Sequence, residues 1–153
     1  MMKLNIVEKA LLFQRKGFVR LGHFILALFS IEIPNEVVFK QVGGGNSVRL
    51  VHRAPGLIIH PKVTIGYRVR LFQGVTIGKC RPWDCAEEEG CEIKDDAIIC
   101  AGAKILFKDK KLVVGKGTVI GANSVLTQST GDYEIWAGIP ARKIGDRKNI
   151  IKL

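Results

Sequence analysis

From Leu57 onward the chain repeats itself every six residues. Cut into sixes it reads LIIHPK, VTIGYR, VRLFQG and VTIGKC. The third places are Ile59, Ile65, Leu71 and Ile77, and the first are Leu57, Val63, Val69 and Val75. The register returns with Ile93, Ile99 and Ile105, and again with Val114, Ile120 and Leu126. Four positions after these aliphatics stand Val63, Val69, Val75, Ala97, Ala103, Thr118 and Ser124, all small or β-branched. An ordinary β-sandwich does not hold a six-residue register through so many units.

Residues two apart in a strand share a face. A unit such as Val63-Thr64-Ile65 sends its ends inward and its middle outward, and three further residues make a corner. Gly66, Gly78, Gly115 and Gly121 follow an inward aliphatic, where the chain turns sharply and has little room for a side chain. Three short strands and three corners close one triangular coil. Stacked coils bury a continuous aliphatic column, the arrangement of a parallel β-helix.

The rest of the composition fits a strand-rich interior. Hydrophobic residues make up 47% of the chain but aromatics only 7%, so the apolar content is mostly aliphatic. The formal net charge of +10 calls for an anionic partner: nucleic acid, an anionic membrane or a phosphate-bearing cofactor. No recognition helix or RNA-binding motif is present and few aromatics could stack on bases, so no nucleic-acid partner is expected. Four cysteines stand at 80, 85, 91 and 100. The apolar stretch Phe24 to Ile31 lies too far in for a signal peptide, lacks a cleavage site, and is shorter than the ~20 residues of a membrane span. Free thiols in the cytoplasm are therefore expected. The spacings of Cys80, Cys85 and Cys91 are looser than zinc-ligand pairs, and no metal is expected.

Two stretches break the register: residues 78–92, with Pro82, Trp83 and a run of glutamates, and residues 107–111, FKDKK. Loops that leave a rigid repeat tend to share one face and carry function. The chain divides into a helical segment over 1–30 and a β-helix domain with its tail over 31–153. Residues 4–29 read as one helix, with Phe18, Leu21, Ile25 and Leu28 on a stripe and Lys9, Arg15, Lys16 and Arg20 between them. Such a helix packs on the β-helix or on a neighbouring subunit, and its basic, amphipathic character also allows peripheral membrane association. Residues 35–56, with Gly43-Gly44-Gly45, predict a poorly regular first coil.

Residues 31–148 resemble the serine acetyltransferase branch of the hexapeptide acyltransferases. The stretches that carry the resemblance are HRAPGLIIHPKVTIG at 52–66, QGVTIG at 73–78, AGAKIL at 101–106, VIGANSVL at 119–126 and AGIPARKIG at 137–145. The resemblance implies a left-handed parallel β-helix, a homotrimer with active sites in the grooves between subunits, and acetyl-CoA lying along the coils with its phosphates near the C-terminus. His52 matches the family's general base, and Glu32 its acidic partner. Gly78, Lys79, Ala101 and Ala122 match positions whose backbone lines the pantetheine arm, and Arg142 the basic residue of the terminal motif.

An alcohol is a poor nucleophile at neutral pH, so a base must take its proton as it attacks a thioester. Imidazole suits that task. His23, His52 and His60 are the histidines, and only His52 has the family position. Glu32 and Glu36 are the carboxylates that could hold its tautomer. Arg142, Lys143, Arg147 and Lys148 form a basic cluster for the phosphates of coenzyme A. The chain departs from the family in three places, the first two of which concern the acceptor. Val51 stands where the family has an acidic residue, Glu88-Glu89-Gly90-Cys91 where it has a second histidine, and the N-terminal segment is short. The acyl-CoA half is thus better kept than the acceptor half. A sugar hydroxyl in cell-surface polysaccharide synthesis ranks first as acceptor, with L-serine second and a non-catalytic scaffold third. A zinc carbonic anhydrase on the same fold would need three clustered histidines, which the chain does not supply.

Overall fold

A chain that turns after every two or three strand residues can satisfy its backbone only against the coil above and the coil below. In the computed structural model, which describes residues 5–42, 47–81, 83, 90–108 and 110–147, it does so four times. The first coil is β1 (Val38–Phe39), β2 (Arg49–Leu50) and β3 (Ile58–Ile59). The second is β4 (Val63–Ile65), β5 (Arg70–Leu71) and β6 (Thr76–Lys79). The third is β7 (Cys91–Ile93), β8 (Ile98–Ile99) and β9 (Lys104–Phe107), and the fourth is β10 (Leu112–Val114), β11 (Val119–Ile120) and β12 (Val125–Leu126). Equivalent strands pair in parallel as β1-β4-β7-β10 on face I, β2-β5-β8-β11 on face II and β3-β6-β9-β12 on face III. This is the left-handed β-helix. Each coil adds about 4.8 Å of height, the spacing of paired strands.

The inward residues form one column. Ile65, Leu71, Ile77, Ile93, Ile99, Ile105, Val114, Ile120 and Leu126 are fully buried. Burying each such side chain stabilises the fold by about 1.5–3 kcal/mol relative to leaving it in water. The first coil is more regular than the sequence implies. Phe39 and Leu50 take inward places and pair with Ile65 and Leu71, but they stand too far apart in the chain to register as hexads. The interruptions are also narrower. Cys91 is an inward residue of β7 opposite Val63 and Leu112, and Phe107 is the buried end of β9. Burial pushes the Cys91 thiol up to about 12.

The N-terminal segment is two helices, not one: α1 (Ile6–Arg15) and α2 (Val19–Ala27). Asn5 starts α1 with a capping box, its side chain accepting from the Glu8 amide while the Glu8 carboxylate accepts from the Asn5 amide. Gly17, at φ +93°, takes a backbone conformation that the helix cannot continue through, and the chain folds back there. Val7, Ala10, Leu11 and Leu26 join the same hydrophobic cluster as the coils, closing the lower end. The upper end is closed by an antiparallel hairpin of β13 (Glu134–Gly138), paired with β11, and β14 (Ala141–Asp146). Residues 127–133 lie along the open edge of β10. There Ser129 Oγ accepts from the Val113 amide at 3.0 Å, Thr130 Oγ1 from Gly115 at 2.9 Å and Asp132 Oδ1 from Lys116 at 2.7 Å. That edge therefore offers fewer free groups to another strand. Among the described residues no helix is long and apolar enough to cross a membrane.

Candidate active site

The three corners of the coil are not alike. Between faces II and III the chain turns tightly in every coil, and the turn residues stack: Gly56, Gly74, Gly102 and Asn123 all have φ between +54° and +71°. Backbone bonds tie the turns together, Gly74 N to Pro55 O at 2.8 Å, Gly102 N to Gln73 O at 2.9 Å and Asn123 N to Ala101 O at 2.9 Å. A methyl group on Gly74 would lie 3.7 Å from Gly102. The result is a narrow backbone-lined column that runs up one corner.

His52 stands at the foot of this column, in the turn between β2 and β3. His52, Arg53 and Ala54 have φ of +53°, +65° and +45°, three non-glycine residues in succession in the left-handed region. That conformation costs each about 1–2 kcal/mol. Strain of this kind gathers where a side chain must be aimed. The His52 imidazole is exposed, and the Phe72 ring of the next coil meets it edge-on at 6.2 Å between centroids. Higher in the same corner come Ala101 and Ala122, and then the β13–β14 hairpin, where Arg142 is the second residue of β14 and pairs with Ala137. The Gly138 amide donates to Ser124 Oγ at 3.1 Å, seating that hairpin over the fourth coil. From His52 to the cap the column climbs about four coil steps, roughly 19 Å.

The other nominated residues fall elsewhere. Gly78 and Lys79 end β6 and so lie at the corner between faces III and I, across the width of face III. No atom lies within 4 Å of a methyl built on Gly78, so crowding does not explain this glycine, in contrast to Gly66, Gly115 and Gly121. Glu32 bridges Ile58 below face III, and its side chain is exposed. Among the described residues, no hydrogen bond or ion pair joins Glu32 or Glu36 to His52. The Lys143 ammonium binds Asp146 at 2.7 Å and Glu134 at 3.1 Å. The Arg147 guanidinium donates to the carbonyls of Gly117 at 2.8 Å and Asp96 at 3.2 Å. Lys148, Cys85, Glu88 and Glu89 lie outside the described residues.

His60 packs edge-on to Phe107 at 5.2 Å, and its Nδ1 accepts from the Lys62 amide. His23 lies 2.7 Å from the buried Gln14 side chain. Neither is in the column. Among the described residues no three His, Cys, Asp or Glu side chains come together as metal ligands. Sequence reasoning missed Phe72, Arg53 and the stacked left-handed turns. The Gly and Asn at six- and nearby spacings were visible, but the three-residue twist at His52 to Ala54 has no local signature.

No protein-family profile matches the chain. The serine acetyltransferase of Bacillus subtilis is 39% identical over 92 residues, which are 58% of this chain and 39% of that protein. The solved serine acetyltransferase of Vibrio cholerae superposes with a TM-score of 0.70 at 26% identity, over 94% of this chain and 53% of that one. A serine acetyltransferase solved in complex with CoA superposes with a TM-score of 0.65 at 28% identity, over 91% of this chain and 53% of that one. The chain is similar to serine acetyltransferases. It spans 39% of the length of the curated relative and about half of each solved chain.

Proposed function

We propose that the chain is an acetyl-CoA-dependent O-acetyltransferase with His52 as general base. The observation that carries this reading is the corner column, with an aimed, strained, exposed histidine at its foot and Ala101, Ala122 and Arg142 above it. The likeness to serine acetyltransferases, one of them a complex with CoA, supports the same chemistry. In this reading a ring nitrogen of His52 accepts the hydroxyl proton as the oxygen attacks the thioester carbonyl. The tetrahedral intermediate collapses, the C–S bond breaks, and the proton passes from the imidazolium to the departing thiolate. Glu32 completes the pair by holding the tautomer when substrate or a second copy brings the two together. The pantetheine arm passes the backbone of Ala101 and Ala122, with Gly78 and Lys79 offered from the other corner of a neighbouring copy in the trimer, while Arg142 meets the phosphates.

The sequence alone ranked a sugar hydroxyl first. The comparisons reverse that order, because the relatives are named serine acetyltransferases, and L-serine becomes the first acceptor to offer. A sugar stays second on one observation: Cys91 is buried in the core, so the place of a second site histidine holds an inward thiol. The assembly proposed is a homotrimer in the cytoplasm, read as three times the 16.9 kDa chain mass in sedimentation. The α1–α2 hairpin exposes Phe13, Phe18, Leu21, Phe24 and Leu28 beside Lys9, Arg15, Lys16 and Arg20, which supports peripheral contact with an anionic membrane. Vesicle flotation with and without anionic lipid tests that contact.

The test of the enzyme is thiol release from acetyl-CoA with L-serine and with a panel of sugars. His52→Ala is expected to lower kcat by roughly 10²–10⁴-fold while CoA still binds. Equal turnover by His52→Ala and wild type would remove His52 from the chemistry. If the wild type neither turns over nor binds CoA, the scaffold reading takes its place.

A further inference from the structure

The corner between faces III and I is built differently from the other two. Both interruptions of the repeat fall there, one between β6 and β7 and the other between β9 and β10. A four-residue excursion from a rigid coil adds chain that must be ordered without adding to the core. The second excursion and the segment that follows β12 border an open surface cavity of about 320 Å³. Its walls are Lys108, Lys110 and Lys111 on one side, Thr127, Gln128 and Ser129 on the other, and Leu112.

The described part of that lining carries ammonium groups and neutral donors, and Asp109, between Lys108 and Lys110, lies outside the described residues. Lys111 is bound to Glu92 at 2.7 Å. Among the described residues, no carboxylate pairs with Lys108 or Lys110. Ser129 Oγ already accepts the Val113 amide, so its own hydrogen is left to donate. Thr127 and Gln128 supply a further hydroxyl and amide. Ammonium groups with hydroxyl and amide donors around a small cavity suit an anion with several acceptor oxygens. The cluster that the sequence nominated for such an anion is partly committed, since Lys143 and Arg147 are held by carboxylates and carbonyls of their own chain.

We propose that this cavity is a phosphate site, gripping a phosphoryl group through Lys108 and Lys110. Resting on the acyl-CoA reading, the phosphate is that of the nucleotide end of the donor. The site lies between two and three coil steps above His52, roughly 10–14 Å, and across face III, roughly 10 Å. An acyl-CoA separates its thioester from its phosphates by the whole pantetheine arm, so one molecule can engage both places. A phosphorylated acceptor is the other source of the same chemistry.

The experiment is isothermal titration of the full chain with CoA, with dephospho-CoA, which lacks the 3′-phosphate, and with inorganic pyrophosphate. The proteins are wild type, Lys108→Gln/Lys110→Gln and Lys108→Arg/Lys110→Arg, with thermal unfolding as the folding control for these exposed positions. The glutamine variant is expected to bind CoA roughly tenfold more weakly, a charge-assisted contact's worth, and the arginine variant to keep most of the affinity. A smaller loss for dephospho-CoA assigns the cavity to the 3′-phosphate. If wild type binds pyrophosphate in a lysine-dependent way but no CoA, the site stands and the donor reading falls. CoA and pyrophosphate affinities within twofold of wild type in the glutamine variant would overturn the proposal, leaving the enzyme reading untouched.

Discussion

Gly115→Ala is the substitution whose cost can be worked out most fully. The residue directly follows β10, where residues 127–133 press against the coil edge. A methyl group built on Gly115 falls well inside contact distance of the Gly131 carbonyl and 2.7 Å from the Asp132 nitrogen. Those are backbone atoms, so no side chain can rotate away. Gly131 must retreat, and with it go two bonds: Thr118 Oγ1 to Gly131 O at 2.7 Å and Gly115 N to Thr130 Oγ1 at 2.9 Å. Each is worth about 1 kcal/mol, and Thr118 is fully buried, so an unsatisfied hydroxyl there costs about 1–3 kcal/mol. Loss of glycine freedom in the unfolded chain returns about 0.4–1 kcal/mol. The net is a destabilisation of about 2–3 kcal/mol, a shift of roughly 1 M in the urea midpoint. Gly145→Ala is the control, since no atom lies within 4 Å of its added methyl. Hydrogen exchange should show faster opening at the Val113 and Lys116 amides. A Gly115→Ala midpoint within experimental error of wild type would refute the packing argument.

Stability should hold from neutral pH down to about the ordinary carboxylate range near 4 and fall below it. The Glu134 carboxylate is held below its usual range by the Trp136 indole N–H, Lys143 and the Gly131 amide, Asp96 by the Arg68 guanidinium, and Glu92 by Lys111. Groups with depressed values contribute above the unfolded pKa and lose that contribution as pH falls through the folded one. Glu134→Gln should therefore flatten part of the acid limb of a denaturation series, and an unchanged limb would count against it. Cys91 should stay unlabelled by a thiol reagent at pH 8 in the folded protein while Cys80, half-exposed at a loop, reacts. Equal rates would mean that β7 opens readily. Arg53, exposed beside His52 with its guanidinium 6.0 Å from the Phe29 ring, is the cation nearest in sequence to His52 and free to meet an acceptor carboxylate. Arg53→Gln is expected to raise the KM for L-serine about tenfold and leave that for acetyl-CoA unchanged, whereas equal effects on both would point to a fold defect.

The coils were legible because their period is set by packing. Most inward places are aliphatic whatever the protein does, so Ile59 through Leu126 announce themselves. The first coil was not legible, since Phe39 and Leu50 fill the same inward places at a spacing that no repeat reveals. Cys91 and Phe107 were read as loop because neither residue type belongs to the hexad pattern, yet a buried thiol and a ring fill inward places well. The helix break was missed because the apolar stripe runs straight through it, and one glycine at positive φ decides the fold-back. Within the site, sequence named His52, Ala101, Ala122 and Arg142, and these do share a corner. It could not foresee that Gly78 and Lys79 sit across face III, because the hexad register says which residues point inward but not which of the three corners each turn occupies.

In the acetyltransferase reading proposed above, the donor and acceptor halves of the site answer to different physical constraints. A donor that lies along a corner is recognised by backbone groups, and the backbone of a β-helix is fixed by its core. Any sequence that keeps the aliphatic column and the stacked left-handed turns keeps that binding surface, whatever its exposed side chains become. An acceptor is read by side chains at the foot of the column and in the excursions, where no packing demand holds their identity. A zwitterionic amino acid needs a partner for each of its charges, because an unpaired charge at a desolvated site is expensive. In the described structure Arg53, next to His52 in the chain, and Glu32, which bridges Ile58 below face III, are exposed charges of opposite sign. If they are the partners, Val51 and the inward Cys91 are no loss. If they are not, the foot of the column suits a neutral polyhydroxylated acceptor better, because a sugar asks only for hydrogen bonds.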